Sequence, residues 1–131
     1  MIVLDASALI DWLLAQPSAR SIEPLLRRSD PVHAPHLIDT EVLQTLRRLA
    51  RRGEIETTRA AQALEDLAAM PLELHPHAPL RSRAWALRDV ASAYDATYIA
   101  LAEGLGATLV TSDARLAAGA EGLVEVHLTA A

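Results

Sequence analysis

The sequence contains no cysteine, no lysine and no phenylalanine among its 131 residues. Without cysteine, the chain forms no disulfide, no thiolate nucleophile and no cysteine-based zinc site. Without lysine or a glycine-rich phosphate loop, it has neither a P-loop nor a Schiff-base site. No apolar run approaches the roughly 20 residues that cross a membrane. No basic segment precedes the apolar N-terminal stretch, so we expect no secretory signal and a cytoplasmic location.

The length and the amino-acid composition predict one helix-rich α/β domain spanning residues 1–131. The hydrophobic fraction is 51%, while aromatic residues account for only 3%. This length supports one hydrophobic core but not two. The formal net charge of −5 has the wrong sign for a protein that binds nucleic acid by charge alone. The excess acid therefore serves either solubility or a metal site, and the positions of the acids indicate which.

Short apolar runs alternate with helical segments along the chain, which is typical of a parallel sheet covered by helices on both faces. Strands are predicted at 2–4, 31–35, 72–74, 107–111 and 123–128. Helices are predicted at about 6–14, 17–28, 36–52, 57–70, 77–92, 94–103 and 113–117. Pro24 lies inside the second helix, which we expect to start late or to kink. Gly53 is expected to close the third helix.

Two acids follow buried strands. Asp5 ends the run Ile2 to Leu4, and Asp113 follows the run Thr108 to Thr111. Because the carboxyl ends of parallel strands share one edge of a sheet, these acids should lie close together if their strands are neighbours. Each acid also precedes a helix, so the alternative for each is a simple N-cap.

Two further acids lie at unusual positions in predicted helices. Glu41 falls on the apolar stripe of the third helix, between Ile38 and Thr45, whereas Asp39 points away from that stripe. A carboxylate on a half-buried face costs several kcal/mol unless it is paired or binds a metal. An arginine partner is the simpler alternative for Glu41. Asp95 opens a helix among small residues, where it is either a cap or a group that approaches other acids closely.

A single ligand shared by Asp5, Glu41, Asp95 and Asp113 explains all four positions more economically than three caps and one misplaced glutamate. Clustered carboxylates repel one another and raise one another's pKa values. A divalent cation relieves that repulsion, and donor sets made only of oxygen favour Mg²⁺ or Mn²⁺ over zinc. Such clusters support metal-assisted hydrolysis of phosphodiesters.

Three stretches of the sequence carry a resemblance to a known family: MIVLDASALI, then PHLIDTEVLQTL, and then SAYDATYIALAEGLGATLVTSD. The chain resembles the PIN-domain ribonucleases, and among them the short VapC-type toxins of bacterial type II toxin–antitoxin systems. The resemblance covers essentially the whole chain. The third stretch is the specific one, since DASALI alone would be a weak signal.

The resemblance implies a PIN-like three-layer α/β fold with a five-stranded parallel sheet of order 3-2-1-4-5 and about seven helices. It implies an endoribonuclease that uses a metal-activated water, with Mg²⁺ or Mn²⁺ as cofactor, and leaves a 5′-phosphate and a 3′-hydroxyl. It also implies a homodimer and an antitoxin protein that inhibits the RNA-cleaving site and represses the shared operon. The family's metal ligands fall on Asp5, Glu41, Asp95 and Asp113, and its supporting hydroxyl groups fall on Ser7 and on Thr111 or Ser112.

Several other residues also have ordinary structural explanations. The end of the third helix carries four arginines in two i,i+4 columns, which form either a solvated helix end or a phosphate track for RNA; they are Arg47, Arg48, Arg51 and Arg52. Tyr94 and Tyr98 are expected to pack rather than to line the site. The histidines show no partner set for zinc in the sequence and receive no role; those considered are His33, His36, His75 and His77.

Two other classes of function compete with the nuclease. A receiver-like phosphotransfer module requires a second acid two residues after Asp5 or a lysine, and the chain offers Ser7 and no lysine. A non-catalytic nucleic-acid-binding or interaction module on the same fold is the stronger alternative. The presence of all four acids argues against it, because stability alone rarely requires a glutamate on an apolar stripe.

Overall fold

The computed structural model describes residues 1–29 and 31–129. Its five strands are β1 Ile2–Leu4, β2 Val32–Pro35, β3 Leu72–His75, β4 Thr108–Thr111 and β5 Val126–Leu128. Its seven α-helices are α1 Ala6–Leu13, α2 Ala19–Arg28, α3 Leu37–Arg51, α4 Thr57–Ala69, α5 Arg81–Ala86, α6 Ala93–Leu105 and α7 Ala114–Ala120. No helix in these two ranges has both the length and the apolar character needed to span a bilayer.

The strands form one parallel sheet in the order β3-β2-β1-β4-β5, as predicted. Successive residues of a strand point to opposite faces of the sheet. Every residue of β1 is buried, so helices cover both faces at the centre of the sheet. The chain runs outward from β1 in both directions, and this order creates a crevice beside the carboxyl ends of β1 and β4, where α/β proteins bind ligands.

The core is built from aliphatic side chains of the central strands and of the helices against them. The buried face of α3 carries Ile38, Val42 and Leu46. Helix α6 is buried along most of its length and packs against β1, β2 and β4. It ends at Gly106, whose φ of 64° lies in the left-handed region that glycine adopts without strain. The helices that carry Glu41 and Asp95 are therefore firmly anchored to the sheet.

The predicted element boundaries differ from the structure in several places. The helix predicted at 77–92 is a 3₁₀ turn, Ala78–Leu80, followed by the short helix α5. Pro79 supplies no amide donor, and after Ala86 the chain continues in tight i,i+3 turns rather than in a helix. Strand β5 begins at Val126, because Gly122, with φ of 80°, lies in a turn that follows α7. Helix α2 begins at Ala19 and retains Pro24 within it.

Candidate active site

The carboxylate of Asp5 is buried where β1 ends, with only 5% of the residue exposed. It accepts hydrogen bonds from the backbone N–H of Ala8 at 3.0 Å, from the Ser7 hydroxyl at 2.8 Å and from the Thr111 hydroxyl at 2.8 Å. Asp5 is thus the N-cap of α1, and its second oxygen is held by the end of β4. These contacts fix the direction of the carboxylate before any ligand arrives.

The same hydroxyl groups join the ends of β1 and β4. The Ser7 Oγ accepts from the backbone N–H of Ser112 at 3.0 Å, and the Thr111 Oγ1 accepts from the N–H of Asp113 at 3.0 Å. The structure therefore places Ser7 and Thr111 beside the acids. The Ser112 hydroxyl is directed elsewhere and lies 2.6 Å from that of Thr129.

Glu41 reaches the same region from α3 and is half-buried. Its Oε1 accepts a 2.6 Å hydrogen bond from the hydroxyl of Tyr98, which is buried on α6. Within residues 1–29 and 31–129, no arginine forms a salt bridge with Glu41. The arginine partner considered as an alternative is therefore absent from the described chain. Asp39 is exposed, as the sequence predicted.

The remaining two acids stand at helix N-termini. Ser92 is the N-cap of α6 and accepts from the N–H of Asp95 at 3.1 Å, so Asp95 does not cap this helix. Asp113 does cap α7, accepting from the N–H groups of Arg115 and Leu116. Both helix N-termini favour negative charge nearby and so help to hold these carboxylates.

All four acids line one cavity of about 330 Å³, together with Ser7, Tyr98, Asp11, Thr45 and Arg48. Within the described ranges, the oxygens of no three of these acids come within 4.8 Å of one another. No three of the carboxylates therefore converge on one point, and the four acids surround a space. Magnesium keeps several of its waters and binds only one or two carboxylates directly, so this spacing suits a hydrated ion.

Burial and mutual repulsion make the site unfavourable for so much negative charge. Burial, followed by the charge of Asp113, raises the pKa of Asp5 to about 6, although its hydrogen bonds oppose the shift. Burial raises the pKa of Glu41, and Asp95 adds to the effect. Burial and the charge of Asp113 likewise raise the pKa of Asp95. A site made only of oxygen donors with this excess charge fits a hard divalent cation.

The four predicted RNA-binding arginines are all exposed near the end of α3. Of these, Arg48 lines the cavity that contains the acids, whereas Arg47, Arg51 and Arg52 are absent from its lining. Arg48 thus brings the only positive charge of the predicted set to the cavity wall.

Sequence reasoning missed three features of the structure. Tyr98 packs as predicted, but its hydroxyl also holds Glu41, so the expectation that it would not line the site is wrong. Asp11 also lines the cavity, where it accepts a hydrogen bond from Ser18. Helical spacing from Ser7 and Ile10 could have placed Asp11 there.

The third missed feature is a cluster of two histidines and a glutamate away from the acids. The Nδ1 of His33 lies 2.9 Å from the Nε2 of His75 and 3.8 Å from a carboxylate oxygen of Glu73. The statement that these histidines lack a partner set is therefore wrong. The two histidines stand 42 residues apart, and only the pairing of β2 with β3 brings them together.

Comparison with known proteins identifies the family. The PIN domain matches residues 2–122. Ribonuclease VapC9 of Mycobacterium tuberculosis is 41% identical over 116 residues, which is 88% of each chain. The chain belongs to the PIN-domain family and, within it, to the VapC ribonucleases.

Solved structures show the same fold. PAE2754 from Pyrobaculum aerophilum superposes with a TM-score of 0.72 at 26% identity, covering 95% of this chain and 82% of that one. VapBC2 from Rickettsia felis, crystallised with a DNA fragment from its promoter, superposes with a TM-score of 0.71 at 16% identity, covering 99% and 100%. The second likeness concerns the fold alone.

The raised pKa of Asp5 predicts how stability depends on pH in the protein stripped of metal. Below pH 3.8 the carboxyl is protonated in both states, and ionisation then opposes folding increasingly up to about pH 6. Asp5→Asn removes this penalty. Between pH 4 and pH 8, the free energy of unfolding of the variant should therefore gain about 2 kcal/mol relative to the wild type.

Urea unfolding in EDTA across this pH range measures the difference. Asp39→Asn, which removes an exposed acid, is the matched control and should not show this gain. Parallel pH profiles for wild type and Asp5→Asn would contradict the assignment of an unfavourable buried charge to Asp5.

Proposed function

We propose that this protein is a Mg²⁺-dependent endoribonuclease, the toxin of a toxin–antitoxin pair, and that Mn²⁺ can replace Mg²⁺. One observation carries the proposal: acids from four separate parts of the chain line a single cavity beside the carboxyl ends of β1 and β4; they are Asp5, Glu41, Asp95 and Asp113. The relative named above is a ribonuclease over nearly the same length, which supports the reaction class.

These four carboxylates would hold the ion. A bound divalent cation supplies positive charge for the transition state of phosphodiester hydrolysis and lowers the pKa of a water molecule. Ser7 and Thr111 orient Asp5, and Tyr98 orients Glu41, by the hydrogen bonds described above. Orienting partners of this kind commonly determine how well a ligand set works. We expect products with a 5′-phosphate and a 3′-hydroxyl.

RNA must approach a site that repels it. The protein carries a net charge of −5, and the cavity itself is acidic. Arg48 on the cavity wall would bind a phosphate next to the scissile one, with Arg47, Arg51 and Arg52 continuing the track along α3. Arginine suits this role because its guanidinium binds phosphate through two parallel hydrogen bonds.

The proposal also covers the protein's binding partners and the extent of its domain. We expect an antitoxin protein, in keeping with the VapC relatives. We also expect a homodimer, for which large apolar side chains exposed on α3 and α6 are suitable; two of these are Leu43 and Tyr94. Residues 1–131 would form a single PIN domain that acts on RNA in the cytoplasm.

The direct test is cleavage of total cellular RNA by purified protein freed of any partner, with Mg²⁺, Mn²⁺ or EDTA. We expect metal-dependent cuts bearing 5′-phosphates. Asp95→Asn should fold normally and lose at least about 100-fold in cleavage rate, since it removes a charge from the ligand set. The matched control, Asp39→Asn, lies on an exposed face and should retain activity.

Two outcomes would contradict the nuclease. One is a folded Asp95→Asn protein that still cuts RNA at the wild-type rate. The other is a folded, partner-free wild type that cuts no RNA with either metal, including purified tRNA and ribosomal RNA. The second outcome would favour a non-catalytic nucleic-acid-binding or interaction module.

Tyr98→Phe tests the hydroxyl that holds Glu41. The change preserves the buried ring, so the fold should persist, while the carboxylate loses its 2.6 Å donor. We expect metal affinity or cleavage rate to fall about 10–100-fold, as for other partners that orient metal ligands. This hydrogen bond lowers the pKa of Glu41, so the acid limb of the pH–rate profile should move upward.

Tyr94→Phe is the matched control, since 62% of that residue is exposed, and it should leave both readouts unchanged. Equal effects from the two substitutions would show that the contact with Glu41 does not matter.

Arg48→Gln tests phosphate binding at the cavity wall. We expect KM for RNA to rise severalfold with little change in kcat. The dependence of log KM on log salt should weaken by about 0.7, the value of one contact to single-stranded nucleic acid. Arg28→Gln, an exposed arginine on α2, serves as the control for lost charge. If both variants shift KM equally, only general electrostatic attraction is involved.

A further inference from the structure

A second cluster of metal-binding side chains lies on the two strands at the far edge of the sheet. Parallel pairing of β2 with β3 sets His33 opposite Glu73. His75 follows Glu73 by two residues and therefore points to the same face of the sheet. The three side chains thus project together from one face, with β3 as the edge strand.

The donor atoms of these side chains converge. His33 Nδ1 lies 2.9 Å from His75 Nε2 and 3.8 Å from a Glu73 oxygen, and one ligand atom from each residue lies within 4.8 Å of the other two. Two ligand atoms on a tetrahedral zinc ion, each about 2.0–2.1 Å from the metal, are about 3.3 Å apart. These two separations lie on either side of that value, so small shifts would bring His33 Nδ1 to zinc-ligand spacing from both of its neighbours.

The chemistry of the donors distinguishes this cluster from the acidic cavity. Two imidazoles and one carboxylate form a set that zinc sites with an open fourth position use. Imidazole nitrogen favours transition ions, whereas the acids around Asp5 offer oxygen alone. His33 is buried, while the Glu73 side chain is 53% exposed, so the cluster has a rigid inner ligand and an open path from solvent.

We propose that His33, Glu73 and His75 form a binding site for one divalent transition-metal ion, with Zn²⁺ as the representative ion and a solvent molecule as its fourth ligand. The ion links edge strand β3 to β2. The backbone N–H of His36 already donates to the His75 carbonyl at 2.9 Å, and α3 begins at the next residue. The site therefore stabilises the region from which α3 and its Glu41 start.

The proposal is tested by titrating tag-free protein with ZnSO₄, because a polyhistidine tag would itself bind zinc. Isothermal calorimetry should show one ion bound per chain at this site, and thermal unfolding should show a higher Tm with zinc. Co²⁺ in place of zinc should give the visible absorption bands of an imidazole-ligated ion. None of these three readouts depends on RNA cleavage, so the result is independent of the proposed function.

Glu73→Gln and His75→Gln should each weaken zinc binding at least about tenfold, since even partners that only orient a metal ligand carry that much affinity. Both should reduce the Co²⁺ absorption. His36→Gln is the matched control, an exposed histidine beside the cluster but outside it, and should bind zinc as the wild type does. Asp95→Asn removes an acid from the other site and should leave this binding intact.

Thermal unfolding without metal verifies that each variant is folded, and the exposed position of Glu73 makes its variant the safest probe. The proposal is overturned if zinc fails to bind or to raise the Tm. It is also overturned if binding survives both Glu73→Gln and His75→Gln unchanged, or if Asp95→Asn abolishes it, because the ion would then belong to the acidic cavity.

Discussion

The buried carboxylate of Asp5 is the constraint on which the site depends. It lies between the two central strands, where an unpaired charge would be prohibitive, and three donors compensate it: the Ala8 amide and the hydroxyls of Ser7 and Thr111. Hydrogen bonds to a charged acceptor are stronger than neutral ones. They do not fully offset desolvation, since the pKa of Asp5 remains raised to about 6. The acid is thus fixed in position yet still electrostatically unsatisfied, which is a suitable state for a metal ligand.

Helix capping and metal binding are compatible roles for the same side chain. The sequence alone leaves the roles of Asp5 and Asp113 open, because each acid follows a strand and precedes a helix. The structure shows both as N-caps, and both line the cavity. A carboxylate has two oxygens and about four acceptor positions, so one oxygen can cap a helix while the rest remain available. Capping also orients the acid, so the local structure that forms the helix prepares the site.

The sequence predicted those parts of the fold that local patterns determine. The alternation of elements predicted the parallel sheet, and the apolar stripe of α3 singled out Glu41. The strand-end positions placed Asp5 and Asp113 on one edge of that sheet, while the strand order that makes their strands neighbours came from the family resemblance. The sequence could not predict contacts that depend on packing between distant elements. Tyr98 donates a hydrogen bond to Glu41 although 57 residues separate them in the sequence. His33 contacts His75 only because of the register between their strands. The end of α5 at Ala86 was missed, because the residues that follow form tight turns rather than a continued helix.

The raised pKa values of three acids indicate that ionisation of the candidate site opposes the stability of the empty protein. Asp5, Glu41 and Asp95 all favour protonation when no cation is present, because burial and neighbouring charge oppose their ionisation. A ligand that binds only the folded state stabilises it in proportion to its affinity. Under the proposed function, relief of this repulsion would contribute to the affinity for a cation, and the buried donors around Asp5 hold that carboxylate in place before the ion binds. Burial, electrostatic repulsion and rigid packing together are the features that favour cation binding in this cavity.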